Sequence, residues 1–168
     1  MRILGIDPGS RRTGVGVVDV QGQRVLHVHH RVIATADEAF PQRLAEIFEG
    51  VRAVIAEFEP GEAAVETVFM ARNAASALKL GQARGAAICA IVAAGLAVHE
   101  YTPGEIKQAV VGGGRAEKAQ VQHMVGLLLN LHPLPDSDPA DALAAAIAHA
   151  HHRQTAQRVG LPSGWRRR

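Results

Sequence analysis

The stretch RILGIDPGSRRTGVGVVD, residues 2–19, decides the predicted fold. It contains two apolar runs, 2–7 and 13–19, which have the residue content of strands and are separated by a Pro-Gly-Ser turn. A third run of strand character, 24–34, follows a second short turn. Three consecutive strands with short connections are typical of an antiparallel meander.

Beyond this meander, helical and strand patterns alternate along the chain. The predicted elements are a helix within 40–55, a strand at 63–69, a long helix at 74–95, a strand at 96–102, a short helix after Thr102 and Pro103, a helix at 116–130 and a last helix at about 139–153. This order predicts an α/β protein with a mixed five-stranded sheet flanked by helices. It matches the ribonuclease H-like fold.

Length and composition predict one compact domain in the cytoplasm. The chain has 168 residues and no uninterrupted apolar stretch of the ~18 residues that a membrane span needs. Cys89 is the only cysteine, which excludes an intrachain disulfide and a cysteine-based metal cage. We expect it to be a buried residue that packs against the core from an alanine-rich helix. The net charge of +2 falls to −1 without the three terminal arginines, so net charge alone does not favour a nucleic-acid partner.

Four acidic residues carry the chemical signal. Asp7 ends the first strand, and Glu66 lies between Val65 and Val68 in a strand that is otherwise apolar. A buried charge is costly unless it is paired or bound to a metal. Asp138 and Asp141 are three residues apart at the start of the last helix, so their side chains share one face.

Divalent metal ions would relieve the repulsion among these four carboxylates. Ligand sets made only of oxygen suit Mg²⁺ or Mn²⁺ better than zinc. Two such ions about 4 Å apart catalyse phosphodiester hydrolysis in known enzymes. The pattern therefore indicates a metal-dependent nuclease.

Structural roles compete with this interpretation. Asp7 could cap the turn that follows it, and Asp138 followed by Pro139 is typical of a helix N-cap with proline at the first helical position. Asp141 would then favour the helix dipole. Capping and metal binding are compatible, because both use a fixed helix end.

Several ordered motifs resemble the RuvC family of Holliday-junction resolvases. The resemblance covers residues 3 to about 152, and no single motif would suffice. Its motifs are GIDPGS at 5–10, ETVFMARN at 66–73, SALKLGQARG at 76–85, KQ at 107–108, AEK at 116–118, QVQHMV at 120–125 and DPADALA at 138–144.

The resemblance implies a junction-cutting endonuclease of DNA recombination and repair, with residues 1–153 as its nuclease domain. It implies that Asp7, Glu66, Asp138 and Asp141 are catalytic and hold two Mg²⁺ per subunit, with Mn²⁺ as a substitute. It further implies that Lys107 and Lys118 contact DNA or steady charge near the scissile phosphate, and that Phe69 stacks on an unpaired base. The remaining expected DNA contacts are Arg72, Asn73 and Arg115.

The resemblance also implies partners. A homodimer would form through the helix at 74–95, whose small residues permit close helix approach, and two sites would cut opposing strands of a junction with near-twofold symmetry. The expected products are ligatable nicks with 5′-phosphates. RuvA and RuvB, the branch-migration proteins, are expected to work with the enzyme.

The sequence also allows other functions, and it leaves open the roles of the tail and of three histidines. An RNA-processing nuclease of the same fold, or a junction-binding protein without cleavage, would share the acids and the basic residues. A two-lobed nucleotide-binding protein of the actin and sugar-kinase group is disfavoured, because 168 residues are too few. The basic tail 154–168 is expected to bind DNA backbone or to be disordered. His149, His151 and His152 are expected on a solvated helix face, with a general-base role as the alternative.

Overall fold

The computed structural model describes residues 1–36, 39–67 and 73–160. The predicted order of elements is confirmed, with shifts of a few residues at their ends. The strands are β1 (Arg2–Asp7), β2 (Arg12–Gln21), β3 (Arg24–Ala34), β4 (Glu62–Glu66) and β5 (Ala97–Tyr101). The helices are α1 (Phe40–Phe58), α2 (Ala74–Ala93), α3 (Pro103–Val111), α4 (Lys118–Leu129) and α5 (Ser137–Arg158).

The five strands form one mixed sheet in the order β3-β2-β1-β4-β5. The meander β1-β2-β3 is antiparallel, whereas β4 is parallel to both β1 and β5. The predicted mixed five-stranded sheet is thus confirmed. Parallel pairing of β1 with β4 makes both strands end at the same edge of the sheet.

Helices cover both faces of the sheet, and the alternation of side chains along β1 shows how. Ile3 belongs to a core shared with α3, α4 and α5, whereas Leu4 and Ile6 belong to a second core shared with α1 and α2. Successive strand residues point to opposite faces, so β1 contributes to both cores. These two faces explain why β1 reads as almost continuously apolar.

Glycines in the sheet allow α5 to lie directly on it. A Cβ on Gly5 would be 2.0 Å from the carbonyl oxygen of Ala142, and one on Gly14 would be 2.0 Å from that of Asp138. The face of α5 that meets these glycines is buried and rich in alanine. Backbone-to-backbone approach therefore fixes the position of the first two turns of α5, which carry two of the predicted acids.

Two sequence-based expectations are corrected by the structure. The last helix begins at Ser137 with Asp136 as N-cap, so Asp138 is not the capping residue. Cys89 is exposed on α2, not buried.

The ends of the chain bear on two further expectations. Residues 154–158 continue α5, while 161–168 lie outside the described residues, and the domain boundary at 153 stays a prediction. No described helix is long and apolar enough to cross a membrane.

Candidate active site

Asp7 and Glu66 end two neighbouring parallel strands. The register pairs Ile6 with Val65, so the next residue on each strand is one of the two acids. The turn after Asp7 is closed by Thr13, whose hydroxyl donates to the carbonyl oxygen of Gly9 at 3.0 Å. Thr13 therefore helps to hold this turn, a role that the sequence also allowed for Asp7.

Asp138 and Asp141 join this pair from the first two turns of α5. Charge on both raises the pKa of Asp7, and charge on Asp141 raises the pKa of Glu66. The other three predicted acids therefore all lie within electrostatic reach of Asp7. The sheet edge supplies one pair, and the helix packed on the glycines supplies the other.

Burial raises the pKa of Asp7 from 3.8 to about 8, with further increases from Glu66, Asp141 and Asp138 and a decrease from Lys118. Burial likewise raises the pKa of Glu66 to about 7; Asp141 adds to this increase, and Lys118 and Lys107 oppose it. For both carboxyls, the nearby lysines do not offset the burial and the acidic neighbours that disfavour a negative charge. A group of this kind in a cleft is a candidate for catalysis or metal binding.

Basic side chains pair with the two helix acids. The Nζ of Lys118 donates to Asp141 Oδ2 at 2.7 Å, and this hydrogen bond is the largest cause that raises the pKa of Lys118. The Nε of Arg12 donates to Asp138 Oδ2 at 2.7 Å. Sequence reasoning did not predict this role for Arg12, because a contact between residues 126 positions apart leaves no local pattern.

A cleft of about 440 Å³ opens over these residues. Its polar lining includes Asp7, Glu66 and Asp141 together with Lys107 and Lys118. The remainder is Pro8, Thr67, Leu80, Pro103, Ile106 and Val121. Five of the residues predicted from the sequence to act in catalysis or DNA contact therefore meet in one concave site.

The residues present fit divalent metal ions. The donors are carboxylate oxygens, the ligands that Mg²⁺ and Mn²⁺ prefer. The raised pKa values of Asp7 and Glu66 show that nearby basic residues do not offset the burial of these acids. Divalent cations would supply the missing positive charge.

The other predicted contacts are not among the residues that line the cleft, or they lie outside the described part of the chain. Phe69 and Arg72 belong to residues 68–72, which are outside it. Asn73 is the N-cap of α2, where its Oδ1 accepts from the backbone N–H of Ser76 at 2.9 Å. Arg115 is exposed in the connection between α3 and α4.

The expectation of a solvated face for His149 is wrong. This residue is 2% exposed; Tyr101 Oη lies 2.7 Å from its Nδ1, and Glu62 Oε2 lies 2.7 Å from its Nε2. His151 is half-buried against the carbonyl oxygen of Ala109, and only His152 of the three is exposed. The polar residue Glu62 at the start of a buried strand was the signal that could have revealed this network.

Comparison with known proteins agrees with the motifs and the fold. The family model described as crossover junction endodeoxyribonuclease RuvC matches residues 3–149. The RuvC of Stenotrophomonas maltophilia is 62% identical over 163 residues, which are 95% of this chain and 94% of that protein. The chain belongs to the RuvC family of crossover junction endodeoxyribonucleases.

Solved structures of RuvC proteins share its architecture. Thermus thermophilus RuvC in complex with a Holliday junction substrate superposes with a TM-score of 0.87 at 39% identity, covering 92% of this chain and 96% of that one. The yeast mitochondrial Holliday junction resolvase is 13% identical with a TM-score of 0.65, covering 95% of this chain and 86% of the yeast chain, and shows the shared fold alone. These matches confirm the predicted ribonuclease H-like fold.

Proposed function

We propose that this RuvC-family enzyme resolves Holliday junctions by metal-dependent hydrolysis of two opposing strands, in DNA recombination and repair. The observation that carries the proposal is the convergence of Asp7, Glu66 and Asp141 with two lysines in one cleft. Asp138 lies close enough to this group that its charge raises the pKa of Asp7. We expect the activity in the cytoplasm, since the proposed substrate is recombining cellular DNA.

The four acids would hold two Mg²⁺ per subunit, and Mn²⁺ would substitute. When bound there, the ions would activate an attacking water and stabilise negative charge around the scissile phosphorus. Asp7 and Glu66 must release their carboxyl protons to act as ligands, because their raised pKa values favour the neutral forms. The four carboxylates need no covalent intermediate to perform this role.

The lysines act on charge and orientation. Lys118 fixes the carboxylate of Asp141 through its 2.7 Å hydrogen bond while 73% of its own side chain stays exposed. Lys107 lines the same cleft close enough to lower the pKa of Glu66. Both ammonium groups can therefore attract a phosphodiester towards the acids.

The proposal favours DNA over RNA as the substrate. The reasons are that the chain belongs to the RuvC family and is similar to a RuvC bound to a Holliday junction. Phosphate contacts alone would not distinguish the two polymers. Phe69, Arg72, Asn73 and Arg115 remain proposed DNA contacts.

A homodimer through α2 is part of the proposal. Leu78 and Val92 on this helix are 69% and 58% exposed, and Cys89 is exposed beside them. Covering such side chains would stabilise a dimer. We also propose that the enzyme works with RuvA and RuvB, and this part of the proposal depends on the family resemblance alone.

Cleavage of a labelled synthetic four-way junction tests the function. Linear duplex and an RNA hairpin serve as substrate controls, and each reaction is run with Mg²⁺ and with chelator. We expect paired, Mg²⁺-dependent nicks on opposing junction strands, with 5′-phosphates that a ligase can seal. Binding without cleavage, or cleavage of the RNA alone, would contradict the proposal.

A further inference from the structure

A second cluster of metal-type ligands lies at the other end of β4. Glu62 begins this strand and Glu66 ends it, so the two acids are separated by roughly 13 Å along the strand. Glu62 pairs in register with Ala97 at the start of β5, which brings His99 near it. His149 approaches from α5, eight residues beyond Asp141.

The side-chain atoms of the three residues converge. Glu62 Oε2 lies 2.7 Å from His149 Nε2 and 3.9 Å from His99 Nε2. One ligand atom from each of the three residues falls within 4.8 Å of the others. Ligand atoms bound to one zinc ion at about 2.0–2.2 Å are separated by roughly 3–4 Å, which is close to the spacing found here. The rings of His99 and His149 are stacked, with centroids 4.2 Å apart and planes 29° apart, so one ring would turn to bring both nitrogens onto one ion.

Neighbouring groups orient two of these ligands. The hydroxyl of Tyr101 lies 2.7 Å from Nδ1 of His149, the ring nitrogen opposite Nε2. Arg153 donates to Oε1 of Glu62, which leaves the ligand atom Oε2 on the other side of the carboxylate. Histidine and carboxylate ligands of metals are characteristically held by such outer hydrogen bonds.

The protonation states also suit a metal. Burial lowers the pKa of His149 to about 4, so its ring is neutral at pH 7. The pKa of Glu62 is lowered by its hydrogen bonds to His149 and Arg153 against the opposing effect of burial, so it is ionised. Neutral imidazole and carboxylate are the forms that bind metal ions.

We propose that Glu62, His99 and His149 form a binding site for a transition-metal ion of the zinc class, separate from the acid cluster. Two nitrogen donors with one carboxylate favour Zn²⁺ over Mg²⁺. The ion would take the place of the hydrogen bond between His149 Nε2 and Glu62 Oε2, and the single proton of the neutral ring would move to Nδ1, where the Tyr101 oxygen can accept it. It would tie α5 to β4 and β5, because each of these elements supplies one ligand.

Calorimetric titration of the metal-stripped full chain with ZnCl₂ tests this site. The measurements are made in the Asp7→Asn background with excess Mg²⁺, which limits zinc binding at the acid cluster. The exposed residue His123 on α4 provides the matched control, His123→Gln. His99→Gln and Glu62→Gln are the test variants; they spare the nearly buried His149, whose loss would endanger folding.

We expect one zinc equivalent per chain that persists in His123→Gln and disappears in both test variants. At zinc a hundredfold above the Kd, the melting temperature should rise by about 5–10 °C only in the proteins that keep the site. An unchanged zinc stoichiometry in His99→Gln and Glu62→Gln, or no such zinc equivalent in the parent protein, would overturn the proposal. Neither readout depends on nuclease activity, so failure here leaves the proposed function intact.

Discussion

Asp7 combines burial with three acidic neighbours, an arrangement that opposes folding unless positive charge is supplied. Its pKa of about 8 expresses this conflict. The same burial that destabilises the ionised group would make it an effective ligand for the proposed metal ions, because few waters would compete for it. Stability and function are therefore expected to respond to Asp7 in opposite directions.

Asp7→Asn should abolish junction cleavage and preserve junction binding. Loss of a proposed metal ligand would remove several kcal/mol of transition-state stabilisation, so the rate should fall by on the order of 10³-fold or more. Binding should survive because phosphate contacts dominate affinity. Single-turnover cleavage and gel-shift assays measure the two effects. Asp19→Asn is the control, since Asp19 lies at the opposite end of β2 beside the N-terminal amine; normal cutting by Asp7→Asn would refute the assignment.

The metal-free protein should lose stability as pH rises from about 5 to 8. Asp7 has a pKa of about 8 in the folded protein and near 3.8 when unfolded, so within this range the folded state holds a proton that the unfolded chain has released. The free energy of unfolding consequently falls with rising pH. His149 titrates with the opposite sign below pH 6.5, where its lowered pKa weakens the folded state as pH falls.

Urea unfolding in chelator, compared between the parent protein and Asp7→Asn, isolates the contribution of Asp7. The variant should be more stable near pH 8 and should show a flatter pH dependence. Parallel curves for the two proteins would be inconsistent with a buried, uncompensated Asp7.

Lys118→Ala should slow cleavage on saturating junction by about tenfold to a hundredfold. The substitution removes the donor that holds Asp141, while 73% exposure of the lysine side chain makes a large effect on folding unexpected. Arg52→Ala, which removes an exposed cation of α1, is the control. Unchanged turnover with unchanged stability would reduce Lys118 to a surface residue.

At the level of elements, the position of α5 decides where half of the acid cluster lies. Its first turn rests against Gly14 and its middle against Gly5, and no side chain separates helix from sheet there. A side chain at either position would set the helix roughly 1 Å farther away, because a Cβ there would lie only 2.0 Å from a carbonyl oxygen. The distance between the strand acids and the helix acids thus depends on these glycines.

Gly14→Ala should therefore impair cleavage and stability together. The new Cβ would meet the carbonyl oxygen of Asp138 at 2.0 Å, and overpacking of this kind costs about 1–3 kcal/mol of unfolding free energy or more. Gly113→Ala is the control, because nothing lies within 4 Å of its Cβ position. Chemical denaturation and cleavage rates are compared at a temperature where all variants are folded; a neutral Gly14→Ala would show that α5 can move without effect.

The elements show which features the sequence could predict. Strand and helix patterns depend on neighbouring residues, so the meander, the alternation after it and the four acids were recognisable along the chain. The pairing of Arg12 with Asp138 and the burial of His149 depend on contacts made only after folding. The same holds for the start of α5 at Ser137, which a proline two residues later concealed.

For the molecule as a whole, the exposed face of α2 is the surface through which we propose that two active sites are brought together. Its buried face consists of Ala83, Ala87, Ala90 and Ile91, whereas Leu78 and Val92 face outward. A junction offers two equivalent strands, and symmetric association of two chains would present one cleft to each. The proposed dimer would thus allow paired incision of two strands, where one chain alone would make a single nick.

Leu78→Glu should weaken dimerisation by about a hundredfold or more, because association would bury an unpaired carboxylate. Leu127→Glu is the matched control, since Leu127 is 57% exposed on α4. Sedimentation velocity gives the oligomeric state, and a cruciform plasmid reports whether the two incisions stay coupled. A dimer of undiminished affinity, or a monomeric parent protein, would place the interface elsewhere or exclude it.

The approach of α5 to Gly5 has an evolutionary consequence. A tightly packed pair of larger residues can drift, because growth of one side chain is offset by shrinkage of the other. Gly5 faces the backbone oxygen of Ala142, and neither partner has a side-chain atom there to give up. A larger residue at Gly5 cannot be compensated by a smaller one across the contact. Substitution at this position would therefore displace the helix that carries two of the predicted acids.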